Sequence, residues 1–182
     1  MQNRLNNFIF CCLLLGNFIF IQCQQKEKIS EPVKTDFEKF TGRWRLGGIQ
    51  IQDTTSMKWK PAGGLNKNRT GFLIYDGQGG MGVHHVSESY ENYQFEGKGG
   101  LDSLSQKDLR KLATNFVYFG TYRLNEKDRI IEHQIESHIY PHAWNTVAKR
   151  HYEFRGDSLI LSPINGNFTG PVRLVWLKLN DR

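Results

Sequence analysis

From residue 130 to 139 the chain alternates with a period of two. Ile131, His133, Ile135, Ser137 and Ile139 share one face, and Glu132, Gln134, Glu136 and His138 share the other. That is the pattern of an antiparallel strand with one buried side. Two further strand-like runs flank it, residues 116–124 and 147–154, separated from it by a charged turn and by a turn around Pro141. Three such runs in succession, with no helix between them, require a meandering sheet. The apolar face of the middle run also carries His133 and Ser137. An inward imidazole and hydroxyl point to a cavity with a few polar groups rather than a wholly apolar core.

The remaining chain extends this sheet. Residues 42–46 read as a first strand led by Trp44, residues 71–75 and 81–86 as a hairpin about a glycine-rich turn, and residues 158–161 and 172–179 as the last two strands. Residues 50–69, with Pro61, Gly63 and Gly64, are turn-rich and leave room for a short strand near 57–60. Asp36 is placed to cap a helical turn holding Phe37 and Phe40. One longer helix is predicted over 103–116, where Leu109, Leu112, Ala113 and Phe116 recur at helical spacing behind a Ser105 to Asp108 capping pattern. About eight strands in hairpin order predict an all-β fold: an up-and-down antiparallel β-barrel with one helix inserted near 103–116. A barrel of that size encloses side chains or one small ligand.

The N-terminus follows a different pattern. Residues 8–21 are almost continuously apolar behind the single cation Arg4, the layout of a secretory signal. Its 14 residues are too few for a helix spanning a bilayer, which needs roughly 20. All three cysteines, Cys11, Cys12 and Cys23, lie in or at the end of this segment, so the rest of the chain forms no internal disulfide. Cys23 follows Phe20, Ile21 and Gln22 and precedes a polar stretch, which resembles a loose bacterial lipoprotein signal. An ordinary signal cut elsewhere fits the same residues. The expected organisation is a lipoprotein-type signal over 1–22, a flexible tether over 23–36 with lipid on Cys23, and a barrel domain over 37–182. The protein would be exported and anchored to a bacterial membrane, on its periplasmic or outer-membrane face. The net charge of +6 comes without a Lys/Arg cluster, and export argues against nucleic acid as a partner.

Particular residues sharpen the barrel expectation. Gly42 and Trp44 on the first strand resemble the lipocalin hallmark, and Lys178 on the last strand stands where lipocalins place a cation closing over that tryptophan. Gly71, Tyr75, Tyr118, Gly120, Tyr122, His133, Pro141, Arg150 and Trp176 together resemble the bacterial and fungal lipocalin-like domain family over about residues 40–179. The resemblance implies a lipocalin-like barrel closed by Gly42, Trp44 and Lys178, with an internal pocket. The closing cation is lysine where arginine is usual, and it lacks the planar guanidinium that stacks on an indole.

Candidate chemistry is sparse. His133, if inward, could bond a ligand or act as acid or base, and it could equally be a core histidine bonded to a tyrosine. Arg150 shares the face of Tyr152 and Phe154, so, if buried, it needs a ring of carbonyls or an anion, the anion being either a ligand carboxylate or a structural partner such as Glu132 or Asp128. Tyr75, Tyr118, Tyr122, Tyr152 and Ser137 complete the candidate ligand-binding set. For catalysis the candidates are His133, Arg150 and Tyr152. His84 and His85 point to opposite faces of a strand, and His138 and His142 flank a proline turn, so neither pair suggests a metal. No Gly-x-Ser-x-Gly elbow is present, the domain holds no cysteine nucleophile, and no cofactor is called for. Three readings follow: a lipid-anchored module binding a small hydrophobic or amphipathic molecule, an isomerase, cyclase or hydrolase built on His133 and Arg150, and a ligand-free envelope lipoprotein. The first is the main expectation, with the membrane as a second partner through the N-terminal lipid.

Overall fold

The structure, a computed structural model, describes residues 34–97, 99–164 and 170–180. The expected signal, the Cys23 attachment point and most of the tether lie outside the described residues.

Among the described residues nine strands form one antiparallel sheet: β1 (Gly42–Gln52), β2 (Trp59–Pro61), β3 (Thr70–Tyr75), β4 (Gly80–Val86), β5 (Phe116–Asn125), β6 (Ile130–His138), β7 (Val147–Arg155), β8 (Ser158–Pro163) and β9 (Val172–Lys178). Each pairs with the next in space, and β9 returns to β1, so β1 and β3 to β9 close an eight-stranded barrel. The predicted up-and-down barrel is what the chain forms. β2 is the extra strand, paired only with the far end of β1 at Gln50, Ile51 and Gln52. β1 therefore serves two neighbours in turn on one side: β3 along its first half and β2 along its last three residues. A bulge between Leu46 and Gly48 bends it between the two.

A second bulge matters more for function. Between β5 and β6, Phe119 pairs with Ser137 but Gly120 pairs with Ile135, leaving Glu136 as the extra residue. A Cβ on Gly120 would collide with the Gln134 carbonyl, so only glycine tolerates the close approach. Up to Ile135 the odd residues of β6 face inward; beyond the bulge the phase reverses, His138 is buried and Ser137 turns to the side of the exposed Phe119. The shared inward face expected for Ser137 thus ends at Ile135, because one inserted residue exchanges the two faces.

Among the described residues two α-helices accompany the barrel. α1 (Asp36–Phe40) begins at a capping box of Thr35 and Glu38, one residue before the expected cap. α2 (Gln106–Leu112) opens on the expected Ser105–Asp108 box but stops well short of Phe116, which belongs to β5. Leu109 is exposed, and the buried residue of the first turn is Asp108. Its carboxylate accepts from Tyr93 Oη and from the backbone N–H groups of Glu96 and Gly97, so α2 anchors the loop before it rather than covering the core.

α1 closes one end of the barrel. Phe40 is fully buried against the rings of Tyr75, Tyr152 and Phe154, and its carbonyl accepts from Trp44 Nε1 at 2.8 Å. Lys178 Nζ lies 4.3 Å from the centre of the Trp44 ring and donates to the carbonyls of Lys39 and Thr41. The lysine that replaces a stacking guanidinium thus caps the indole with its ammonium and fastens the end of α1 through the same group.

Candidate functional site

The inward side chains change character along the barrel. At the α1 end they are packed aromatics, at mid-height a polar group appears, and at the far end the walls part. The α1 end is marked by the start of β1 and the ends of β3 and β7; the far end by the last half of β1, the start of β9 and the residues just before β3.

At mid-height stands His133. It is fully buried, its Nε2 lies 2.8 Å from Tyr75 Oη and its Nδ1 lies 2.7 Å from Tyr118 Oη. Arg150 Nη1 approaches the same Nδ1 at 3.3 Å. A guanidinium can only donate, so Nδ1 must accept and the imidazole proton belongs on Nε2, facing Tyr75. Burial, reinforced by the Arg150 charge, holds His133 well below its ordinary pKa, so it is neutral. Burial likewise raises both tyrosines, so neither hydroxyl ionises. Three strands, β3, β5 and β6, are thereby tied at one point in the interior.

Beyond that tie opens a cavity of about 500 Å³. Ile49, Phe116, Val172 and Leu174 supply apolar wall, the largely exposed Leu65 marks the rim, and Tyr140 and Thr114 complete the lining on that side. The volume suits one small molecule. Arg150 borders both this cavity and a void of about 20 Å³ beneath it that reaches His133, Tyr118 and Trp176, which puts Arg150 at the cavity floor. Its only hydrogen bonds among the described residues run from Nη1, to His133 Nδ1 and to the Ala148 carbonyl at 3.2 Å. The structural carboxylates considered for it are engaged elsewhere: Glu132 pairs with Lys149 at 2.6 Å and Asp128 bonds Asn125.

A second guanidinium lines the same cavity. Arg69 is buried and spends its donors on the carbonyls of Leu65, His85 and Thr114 and on His85 Nδ1, 2.8 Å from Nε. His85 must accept there, so it too is neutral. Burial, then Arg69, His84 and Arg150, push its pKa down to about 3. Its ring stacks on Phe116 with centroids 4.9 Å apart. Desolvation lowers Arg69 as well, yet a guanidinium stays charged at any ordinary pH.

The structure therefore gathers His133, Tyr75, Tyr118 and Arg150, and leaves other candidates elsewhere. Tyr122 is buried at the α1 end against Phe37, and Tyr152 donates to Asp36 Oδ2 at 2.7 Å in the same region, so neither borders the cavity. Ser137 faces away from it. His133, Arg150 and Tyr152, the possible catalytic set, do not converge. Arg69 and His85 were not expected at the site, although period-two extrapolation from Leu73 and Tyr75, and from Met81 and Val83, puts both on the inner face. Among the described residues no three His, Cys, Asp or Glu side chains are grouped to hold a metal ion.

Residues 41–178, the greater part of the chain, match the family model of the lipocalin-like domain. No curated protein matches the sequence.

Proposed function

The chain belongs to the lipocalin-like domain family, and from that premise we propose that it binds one small hydrophobic or amphipathic molecule in the open half of its barrel. The observation that carries this reading is the apolar cavity of about 500 Å³ above a floor containing Arg150. A barrel serving only as an envelope scaffold would fill that space with side chains, as this one does at the α1 end. The enzyme reading has less support. Both nitrogens of His133 are occupied by tyrosine hydroxyls in a fully buried setting, and Tyr152 lies at the opposite end of the barrel. An acid or base must reach a proton of the substrate, and His133 is bonded away from the cavity.

The second half of the proposal is location: an exported protein tethered to a membrane by lipid on Cys23, supported by the apolar run of 8–21 and the polar stretch that follows the cysteine. Native mass spectrometry of the full chain, extracted from its own membrane without refolding, tests both halves. The expected spectrum carries an acyl mass on Cys23 and a further non-covalent mass lost on mild activation. With Cys23→Ser the acyl mass disappears and the protein moves to the soluble fraction while keeping its guest. An unacylated wild-type chain overturns the anchor, and an acylated chain that neither carries a guest nor takes one up on incubation with membrane lipid extract overturns the binder.

A further inference from the structure

We propose that the ligand is a monocarboxylate amphiphile that enters head first, its carboxylate seated on the Nε and Nη2 edge of Arg150 and its apolar body lying toward Leu65 at the rim. This deepens the binding reading above and rests on it. Among the described residues two arginines line the cavity and no acidic side chain does. The cavity therefore holds two permanent positive charges above a histidine and beside another that both act as hydrogen-bond acceptors. Arg69 is buried and Arg150 half-buried, neither is paired with a carboxylate among the described residues, and an anion in the cavity offsets both charges.

The division of labour between the arginines selects the anion. Arg69 has committed Nε, Nη1 and Nη2 to three carbonyls and an imidazole, so it contributes a fixed positive field and hardly any donor. Arg150 has committed only Nη1. Among the described residues its Nε and Nη2 have no partner, and those two N–H groups form a planar, parallel pair. A planar carboxylate matches that pair with two hydrogen bonds, whereas a phosphate presents three oxygens to a site with one fork. Because Arg150 sits at the floor and the walls are apolar, the charged end goes down and the chain points outward.

Calorimetry on the full chain in lipid nanodiscs, with empty nanodiscs subtracted, decides the matter using octanoate, 1-octanol and octyl phosphate. These share one tail and differ at the head. Octanoate is expected to bind about tenfold more tightly than 1-octanol, as charge-assisted hydrogen bonds imply, and more tightly than octyl phosphate. Arg150→Met should bring octanoate down to the level of 1-octanol and leave 1-octanol unchanged, which also shows that the variant is folded. Arg150→Lys, which keeps charge but loses the fork, should fall between. If octanoate binds no better than 1-octanol, or if Arg150→Met spares its advantage, the carboxylate proposal fails while the apolar pocket stands. If octyl phosphate binds best, the ligand is a phosphate amphiphile and the proposal fails on the headgroup. If none of the three binds, the binding reading fails with it.

Discussion

On lowering the pH from 8 to 4.5, the protein is expected to lose about 3 kcal/mol of folding stability through His85, with His133 adding to the loss in the same direction, before its carboxylates contribute. The loss comes from His85 and His133. Each is held neutral in the folded state, His133 first by burial and then by Arg150, and His85 by burial and then by Arg69, His84 and Arg150. In the unfolded chain both would titrate near 6.5. Below that pH the unfolded chain takes up protons that the folded one refuses, so acid favours unfolding. His85 contributes a slope of about 1.4 kcal/mol per pH unit, continuing down to about pH 3, and His133 steepens it. His138, also lowered by burial, acts in the same direction. The carboxylates with lowered pKa, such as Asp36 and Glu153, stabilise the fold above their unfolded values of 3.8 and 4.5 and lose that contribution only as the pH falls below them. The window from 6.5 to 4.5 therefore belongs to the histidines. Since whole domains are stable by about 5–15 kcal/mol, a protein with this interior approaches unfolding in mild acid. Urea unfolding across that range measures the slope. His85→Gln, whose amide oxygen can still accept from Arg69, should remove the His85 share, about 1.4 kcal/mol per pH unit. A stability curve flat down to pH 5 would mean that both rings protonate inside the barrel, contrary to their acceptor roles.

Those acceptor roles also show how far the sequence could be read. The period-two runs of β5, β6 and β7 made the barrel legible, because alternation is a local property of each strand. His133 and Arg150 were legible as inward for the same reason. Ser137 was misplaced because the bulge at Glu136 is set by the partner strand: Gly120 on β5 allows the approach, and nothing within residues 130–139 announces it. The length of α2 was overread because Phe116 satisfies both a helical and a strand pattern, and its pairing with His85 on β4 decides for the strand. Arg69 lies within a segment that reads as turns, which hides its alternation with Gly71, Leu73 and Tyr75, and His85 beside His84 draws attention as a possible metal ligand rather than as an inward acceptor. The choice at Arg150 between a ligand anion and a strand-crossing carboxylate depended on where Lys149 and Asn125 sent Glu132 and Asp128, which are tertiary facts. Chemistry at the site was thus half visible: the residue types and their faces could be read locally, but the partners that neutralise or free them could not.

Replacing Phe40 by alanine is expected to destabilise the protein by about 3–5 kcal/mol, the range for deleting a buried aromatic ring. Phe40 precedes residues 41–178, so it falls outside the span that matches the lipocalin-like domain, yet it is fully buried at the centre of the closed end. Its ring meets Tyr75, Tyr152 and Phe154 edge-on, with centroids 5.1, 5.0 and 5.0 Å away. Such contacts add to the transfer free energy of the ring itself. The cavity left behind could not collapse easily, because its walls are held from both sides. Tyr75 is tied to His133, Tyr152 to Asp36, and the backbone of α1 to Trp44 and Lys178. Phe37, on the same short helix, is exposed and among the described residues its ring meets Tyr122 alone, so Phe37→Ala should cost less than half as much. Thermal unfolding of the two variants beside the wild type separates them, with a drop of about 10 °C expected for Phe40→Ala. A drop of only a degree or two would show that Trp44 and Lys178 close the barrel without α1. The expected result makes the helix ahead of β1 part of the barrel's core, so the closed end carries the stability and the open end is left free to hold a ligand.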